Sequence, residues 1–377
     1  MFTEIEEQII HYAKNPANGM KIAVIGGGTG LSTLLRGLKL FSNNLTAIVT
    51  VADNGGSSGM LREDLGILPP GDIRNCILAL ADTEPLMNDL LNFRFTDGRL
   101  KGQNFGNLFI AAMDAISGNF YDAVRNVSKV LAVKGRVLPV SLQNIQIGAK
   151  LQDQTIIFGE SEIGHRHATP ENGIVELFME PDSARALPEA AEALLEADVI
   201  IMGPGSLFTS IIPNLLFPEI CRAILDSRAT KMYVCNIMTQ PAETMGFSSA
   251  RHLEAILAHA GQKSGHGFID YCIVNNAWID RQLIARYRLE SATPVLADRE
   301  SVEQLGVTMI DAPLACINNG VIRHDHMVLA RVILRLALER RRRKTRDAVH
   351  AAPAEQTAAA AALPADDFAP DLKGLEP

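Results

Sequence analysis

The run Gly26-Gly27-Gly28-Thr29-Gly30 follows a short apolar stretch and precedes a helical pattern. Backbone N–H groups at such a strand-to-helix turn, reinforced by the positive end of the helix dipole, can hold a phosphate or pyrophosphate, and glycine allows the anion to come close. The run is not a dinucleotide fingerprint, because Leu31 stands where the third glycine belongs, nor a P-loop, because no Lys-Ser/Thr follows. These departures count against NAD binding and ATP hydrolysis. Asp53, about 20 residues further on, stands where a dinucleotide fold places the acid that accepts from ribose hydroxyls; holding a cation is its other open role. Asn54, Ser57 and Ser58 supply amide and hydroxyl groups on a glycine-rich backbone, and Arg62 is a bidentate phosphate partner. In Gly71-Asp72-Ile73-Arg74-Asn75, Asp72 is either a helix N-cap or a contact to magnesium or substrate, and Arg74 is a candidate anion clamp. A second anion-receiving loop is Gly203-Pro204-Gly205-Ser206-Leu207-Phe208-Thr209-Ser210, with Asn214 close behind. Two such loops point to a ligand with two recognised groups, such as a nucleotide diphosphate joined to a sugar or an acid. No nucleophile-and-base arrangement is locally legible, so no catalytic residue is assigned.

The elements that must position these residues follow from periodicity. Continuous apolar runs at Lys21–Ile25, Leu45–Ala52, Val199–Met202, Lys231–Cys235 and Ile269–Val274 read as buried strands, and the last two end in Asn236-Ile237-Met238-Thr239 and Asn275-Asn276. Helical patterns separate them. The alternation predicts an α/β fold, Rossmann-like and doubly wound, with a mostly parallel sheet. Residues 1–19 read as a helical extension and residues 20–340 as the main domain. Within it, 137–179 has the alternation of a small inserted β-rich segment. A C-terminal helix from Asp325 runs into Arg340–Lys344, a solvated helix end, and the Ala/Pro/Asp composition of 346–377 predicts disorder.

The 377 residues carry 35 Lys+Arg against 43 Asp+Glu, a net charge of −8, which speaks against nucleic-acid binding. No stretch reaches the roughly 20 apolar residues of a membrane span, and the start lacks the features of a secretory signal, so a soluble, cytoplasmic protein is expected. Five scattered cysteines without a C-x-x-C pair predict buried thiols rather than disulfides or zinc. His165-x-His167 and His324-Asp325-His326 lack a third ligand and read as solvated loops.

The segments KIAVIGGGTGLSTLLRGLK, VTVADNGGSSGMLRED, PPGDIRN, GNLFIAAM, GPGSLFTSIIPNLL and CNIMTQPAETMGFS resemble, in order and spacing, the bacterial gluconeogenesis factor family of YvcK type. That family is similar in fold to the 2-phospho-L-lactate transferases, and the resemblance covers roughly residues 20–340. It implies a cytoplasmic nucleotide-binding protein that takes UDP-sugars such as UDP-N-acetylglucosamine and supports gluconeogenic growth, cell shape and cell-wall precursor supply. Carried over, Gly26–Gly30, Asp53, Asn54, Ser57, Ser58 and Arg62 line the nucleotide pocket beside Asp72, Arg74 and Asn75. Gly205, Ser206, Thr209 and Asn214 meet the distal phosphate or sugar; Asn236, Thr239 and Asn275 complete the site. Ala242 and Met245 depart from an acidic residue or glycine common in the family. Two functions are expected to compete. One is a regulatory protein that needs no cofactor and signals ligand occupancy to an unidentified protein partner. The other is a transferase in which Asp53 or Asp72 holds Mg²⁺ on a nucleotide diphosphate. A homodimer is compatible with either.

Overall fold

The computed structural model describes residues 4–351. Among the described residues, twelve strands form three sheets: β1 (Ile22–Gly26), β2 (Leu45–Val49), β3 (Arg136–Pro139), β4 (Gln146–Leu151), β5 (Ile156–Phe158), β6 (Ile174–Glu180), β7 (Val199–Met202), β8 (Thr230–Val234), β9 (Tyr271–Asn275), β10 (Thr308–Ala312), β11 (Ala315–Asn318) and β12 (Val321–His324). Seven of them make one parallel sheet in the order β10-β9-β8-β7-β1-β2-β3. Every residue of β1, β2, β7 and β8 is buried, as expected of central strands covered by helices on both faces. The chain winds outward from β1 to β3, then crosses back to β7 and winds outward the other way to β10. The direction therefore reverses between β1 and β7, and at such a switch point the loops leaving neighbouring strands diverge and open a crevice.

Three helices, Gly28–Leu38, Gly71–Leu80 and His326–Ala351, pack together, and Pro188–Glu196 packs on Pro218–Asp226 in a second group. No single described helix is long and apolar enough to cross a membrane. The apolar pair Leu207–Leu215 and Pro218–Asp226 is bent by 76° and contributes Leu207, Phe208, Ile211, Ile212 and Ile220 to the core.

Several boundaries differ from the sequence reading. The first residues of the expected β-rich insertion belong to the main sheet, because β3 pairs in parallel with β2. Only β5-β4-β6 forms the separate antiparallel sheet. The N-terminal helix Glu4–Lys14 is not a detached extension: Tyr12 is buried in the common core, and Glu4 pairs with Arg342 at 3.0 Å. The final helix continues through Ala351, so 346–351 is helical where disorder was expected; 352–377 lies outside the described residues. The basic run is also less free than a solvated helix end. Arg340 pairs with Asp270 at 2.6 Å and lies over the Tyr271 ring, and Lys344 donates to the Arg228 carbonyl.

The glycine-loop helix is held against the last helix by Gly37, where an added Cβ would fall 2.1 Å from the His326 carbonyl oxygen. Gly37→Ala must separate two packed backbones. It should lower stability by about 1–3 kcal/mol or more, read as a fall in thermal midpoint; an unchanged midpoint would refute this account of the contact.

Candidate functional site

The helix after β1 begins at Gly28 with Gly27 extended before it, and Gly28 adopts φ +65°. The chain after β7 comes so close that a Cβ on Gly30 would lie 2.4 Å from the Pro204 carbonyl oxygen. Around this contact opens a cleft of about 390 Å³, lined by Gly27–Gly30, Pro204–Ser206, Ser210 and the 236–241 segment. Tyr287, Glu290, Ala292, Ile322, Arg323 and His324 also line it. The structure thus brings Gly27, Gly28, Thr29, Gly30, Gly205, Ser206, Asn236 and Thr239 to one cavity.

Several other expected residues brace the walls. Asn214 is buried and donates to the carbonyls of Ser210 (2.8 Å) and Gly26 (3.3 Å), tying the second loop to the first strand. Thr209 donates to Glu243 Oε1 (2.9 Å), while the other carboxylate oxygen accepts from the Phe208 N–H (2.8 Å). Two donors of the expected second anion loop are therefore already taken by an internal carboxylate. The loop keeps its shape through Gln240, which donates to Ser206 Oγ at 2.7 Å. Thr239 Oγ1 accepts from the Thr293 N–H at 2.9 Å. Asn275 lies in a neighbouring cavity, and its amide oxygen accepts from the N–H groups of Ala277, Leu314 and Ala315.

The residues after β2 form a polar shelf beside the glycine loop. Asp53 Oδ1 accepts from Gly55 N–H, Asn54 Oδ1 from Ser161 N–H, and Ser58 Oγ from Gly71 N–H. Ser57 Oγ donates to Gln103 and accepts from Asn107 and the Asn104 N–H. Arg62 donates to the carbonyls of Asp53 and Ile145, and Arg74 to the side chains of Asn75 and Asn107; Arg74 Nε is buried without a partner. Neither arginine is neutralised by a bonded carboxylate within the shelf.

Asp72 is not the helix N-cap, a position that Pro70 holds. It accepts from the Gly28 N–H, and its Oδ2 sits 2.6 Å from where a side chain at Gly27 would begin. Burial and the neighbouring Asp53 charge push its pKa to about 6, against the Gly28 hydrogen bond and Arg74. Glu160, delivered by the small β-rich segment, is pushed to about 8 by burial and by Asp53, Asp72 and Glu243. Among the described residues no group of three or more His, Cys, Asp or Glu side chains is arranged to hold a metal ion.

Sequence reasoning did not find Glu160, Glu243, Gln240, Tyr287, Glu290 or Arg323. Glu243 was within reach as the acid of QPAETMGF, beside the noted Ala242. Glu160 carries no local signal, because the insertion brings it to the shelf. His324 was read as solvated, but it lines the cleft. Burial pushes its pKa to about 4, and its Nε2 lies 3.2 Å from the Cys235 carbonyl. Cys76, Cys221, Cys235 and Cys272 are buried free thiols and Cys316 is a partly buried one.

The profile of the family described as 2-phospho-L-lactate transferase CofD matches residues 22–315. The chain belongs to the CofD family. Within that family it is 46% identical to the gluconeogenesis factor of Bacillus subtilis, over 85% of this chain and 98% of that protein. It is 45% identical to the gluconeogenesis factor of Halalkalibacterium halodurans, over 83% and 95%. A crystal structure of a Bacillus halodurans protein superimposes with a TM-score of 0.80 at 44% identity, covering 84% of this chain and all of that one. The CofD-family match ends at Ala315, so Arg323 and His324 of the cleft lie beyond it.

The raised Asp72 pKa has a sign that can be checked. The folded state holds a proton on Asp72 between the ordinary aspartate range and about 6, so stability falls as pH rises through that window. Asp72→Asn should stabilise the ligand-free protein by about 2–3 kcal/mol above pH 6, with the gain fading below pH 4. Thermal melts of both proteins across pH check this; a gain independent of pH would count against it.

Proposed function

We propose that this protein is a gluconeogenesis factor that binds a UDP-sugar of the UDP-N-acetylglucosamine type in the switch-point cleft and works in the cytoplasm. In this reading it reports ligand occupancy to a protein partner, in support of gluconeogenic growth, cell shape and cell-wall precursor supply. The observation that carries it is the apposition of Gly27–Gly30 and Pro204–Ser206 across the switch point. Gly27 offers no side-chain cap, and apart from the Gly28 N–H that Asp72 takes, the first-turn N–H groups of the helix are open to an anion there. The 236–240 segment supplies neutral amides and a hydroxyl for a sugar. Arg323, exposed on the wall with its guanidinium donating to the Ile322 carbonyl, supplies a positive charge.

A second reading, Mg²⁺-assisted transfer from a nucleotide diphosphate conjugate, is favoured by the Asp53–Asp72 pair beside the glycine loop. A buried Asp72 carboxyl whose proton affinity is raised by burial and by the Asp53 charge fits a divalent cation. Magnesium is typically held by one or two carboxylates together with substrate phosphates, so the lack of a three-residue cluster is compatible with it. Asp53 and Asp72 would hold the ion, which would supply charge neutralisation to a diphosphate. In that case the chain's own part is to position the conjugate, with Gly28 N–H fixing the Asp72 carboxylate.

Calorimetry with UDP-N-acetylglucosamine, UDP, GDP and NAD, with and without Mg²⁺, followed by chromatography of each ligand, separates the two. Binding of UDP-N-acetylglucosamine with full recovery supports the regulatory reading; its consumption, or binding of GDP alone, supports transfer. Arg323→Ala should weaken binding about tenfold, the scale of one charged hydrogen bond. Gly30→Ala should weaken it further by driving the two loops apart.

A further inference from the structure

Beside the glycine cleft lies a second cavity of about 320 Å³, at the carboxyl ends of β8 and β9. Asn236 and Ile237 line both, so the two are neighbouring halves of one groove. The wall of the second half carries Trp278, the only tryptophan of the chain. Its side chain is 78% exposed. Folding gains little from an indole left that bare, since the stabilisation an aromatic ring offers comes from burying its 150–250 Å².

The segment that presents Trp278 is nevertheless anchored at both ends. Asn275 ties down Ala277 from both sides, accepting from its N–H at 3.1 Å and donating to its carbonyl at 3.2 Å, while also binding the N–H groups of Leu314 and Ala315. On the other side, Asp280 caps the helix Arg281–Leu289 by accepting from the N–H groups of Gln282 and Leu283. An exposed ring on a pinned loop is a prepared surface, since little freedom remains to be lost when a flat group stacks on it. Asn276, exposed next to it, carries a carboxamide that can both donate and accept.

We propose that Trp278 is the platform for the nucleobase: the base stacks on the indole, with the Asn276 amide at its edge, while the diphosphate of the same molecule lies on Gly27–Gly30. The proposal rests on the nucleotide reading above and adds where the base lies. Neighbouring strands are about 4.8 Å apart, so β9, three strands from β1, lies about 14 Å from it, within the reach of an extended nucleoside diphosphate. Stacking accepts any base, so the platform sets the position of the ring, and edge contacts are left to choose among bases.

Because Trp278 is the only indole, its fluorescence reports this cavity alone. UDP-N-acetylglucosamine, GDP and inorganic pyrophosphate are titrated into the full chain while heat and tryptophan emission are recorded. The nucleotide sugar should quench emission along the same saturation curve as the heat, and pyrophosphate should leave emission unchanged. Trp278→Ala should weaken the nucleotide sugar about 5- to 150-fold, the range of one base–aromatic stack, and leave pyrophosphate affinity as it was. Trp278→Phe should keep affinity within a few-fold. Unchanged thermal midpoints for both variants, expected of so exposed a residue, separate these effects from misfolding. Heat from UDP-N-acetylglucosamine with constant emission and an unweakened Trp278→Ala overturns the platform and leaves the nucleotide-sugar reading standing. Heat and quenching from GDP instead support the platform and overturn the uridine reading; no heat from any nucleotide overturns both.

Discussion

Across the cleft, Gly30 meets the carbonyl of Pro204 so closely that a single extra carbon would sit 2.4 Å from the oxygen. That contact joins the loops leaving β1 and β7, the two strands between which the winding of the sheet reverses. Gly27 and Gly30 are required there on steric grounds, and Gly28 by its positive φ, before any ligand is considered. Asn214 adds a buried tie from the helical turn Ile212–Leu215 to the Gly26 carbonyl, and Glu243 takes up donors that the Leu207–Ile211 turn would otherwise leave open. The cleft is thus walled by backbone whose own hydrogen bonds are largely settled, which leaves it shaped before anything binds.

Electrostatics act against the packing on the neighbouring shelf. Asp72 stands at a helix start, where a carboxylate is ordinarily stabilised, yet enclosure by protein and the charge of Asp53 outweigh that benefit and raise its pKa to about 6. Glu160 is raised to about 8 by the same two causes. Arg62 and Arg74 stand close by, but their donors go to carbonyls and amides rather than to these acids. The shelf therefore keeps acids whose charge is costly in the ligand-free state, a condition that a bound cation or a closely held positive group relieves. Such stored cost is characteristic of functional sites.

The strand-and-glycine pattern was legible because a central parallel strand is apolar on both faces and its end must turn at once into a helix. Lys21–Ile25 followed by five residues of which four are glycine has few other readings. The cleft residues on those turns were legible for the same reason. Roles were less so: Thr209, Asn214 and Asn275, expected at the ligand, are also tied into the walls by internal hydrogen bonds, because a short polar side chain at a strand end serves both purposes equally well in sequence. The extent of the insertion was blurred because β3 has the same β-branched content whether it joins the parallel sheet or the antiparallel one.

The sequence by itself determined the parallel sheet and the presence of a glycine-rich strand-to-helix turn, since these follow from local periodicity and from the backbone freedom of glycine. It also carried the motifs that place the chain in its family. Tertiary structure alone decided which acids crowd the shelf, since Glu160 arrives from the β-rich segment more than a hundred positions after Asn54, whose side chain its neighbour Ser161 meets. It likewise decided that His324 is enclosed in the cleft wall and that Trp278 stands bare beside it. Burial and charge neighbourhood are sums over segments remote in the chain, and no local pattern of residues encodes them.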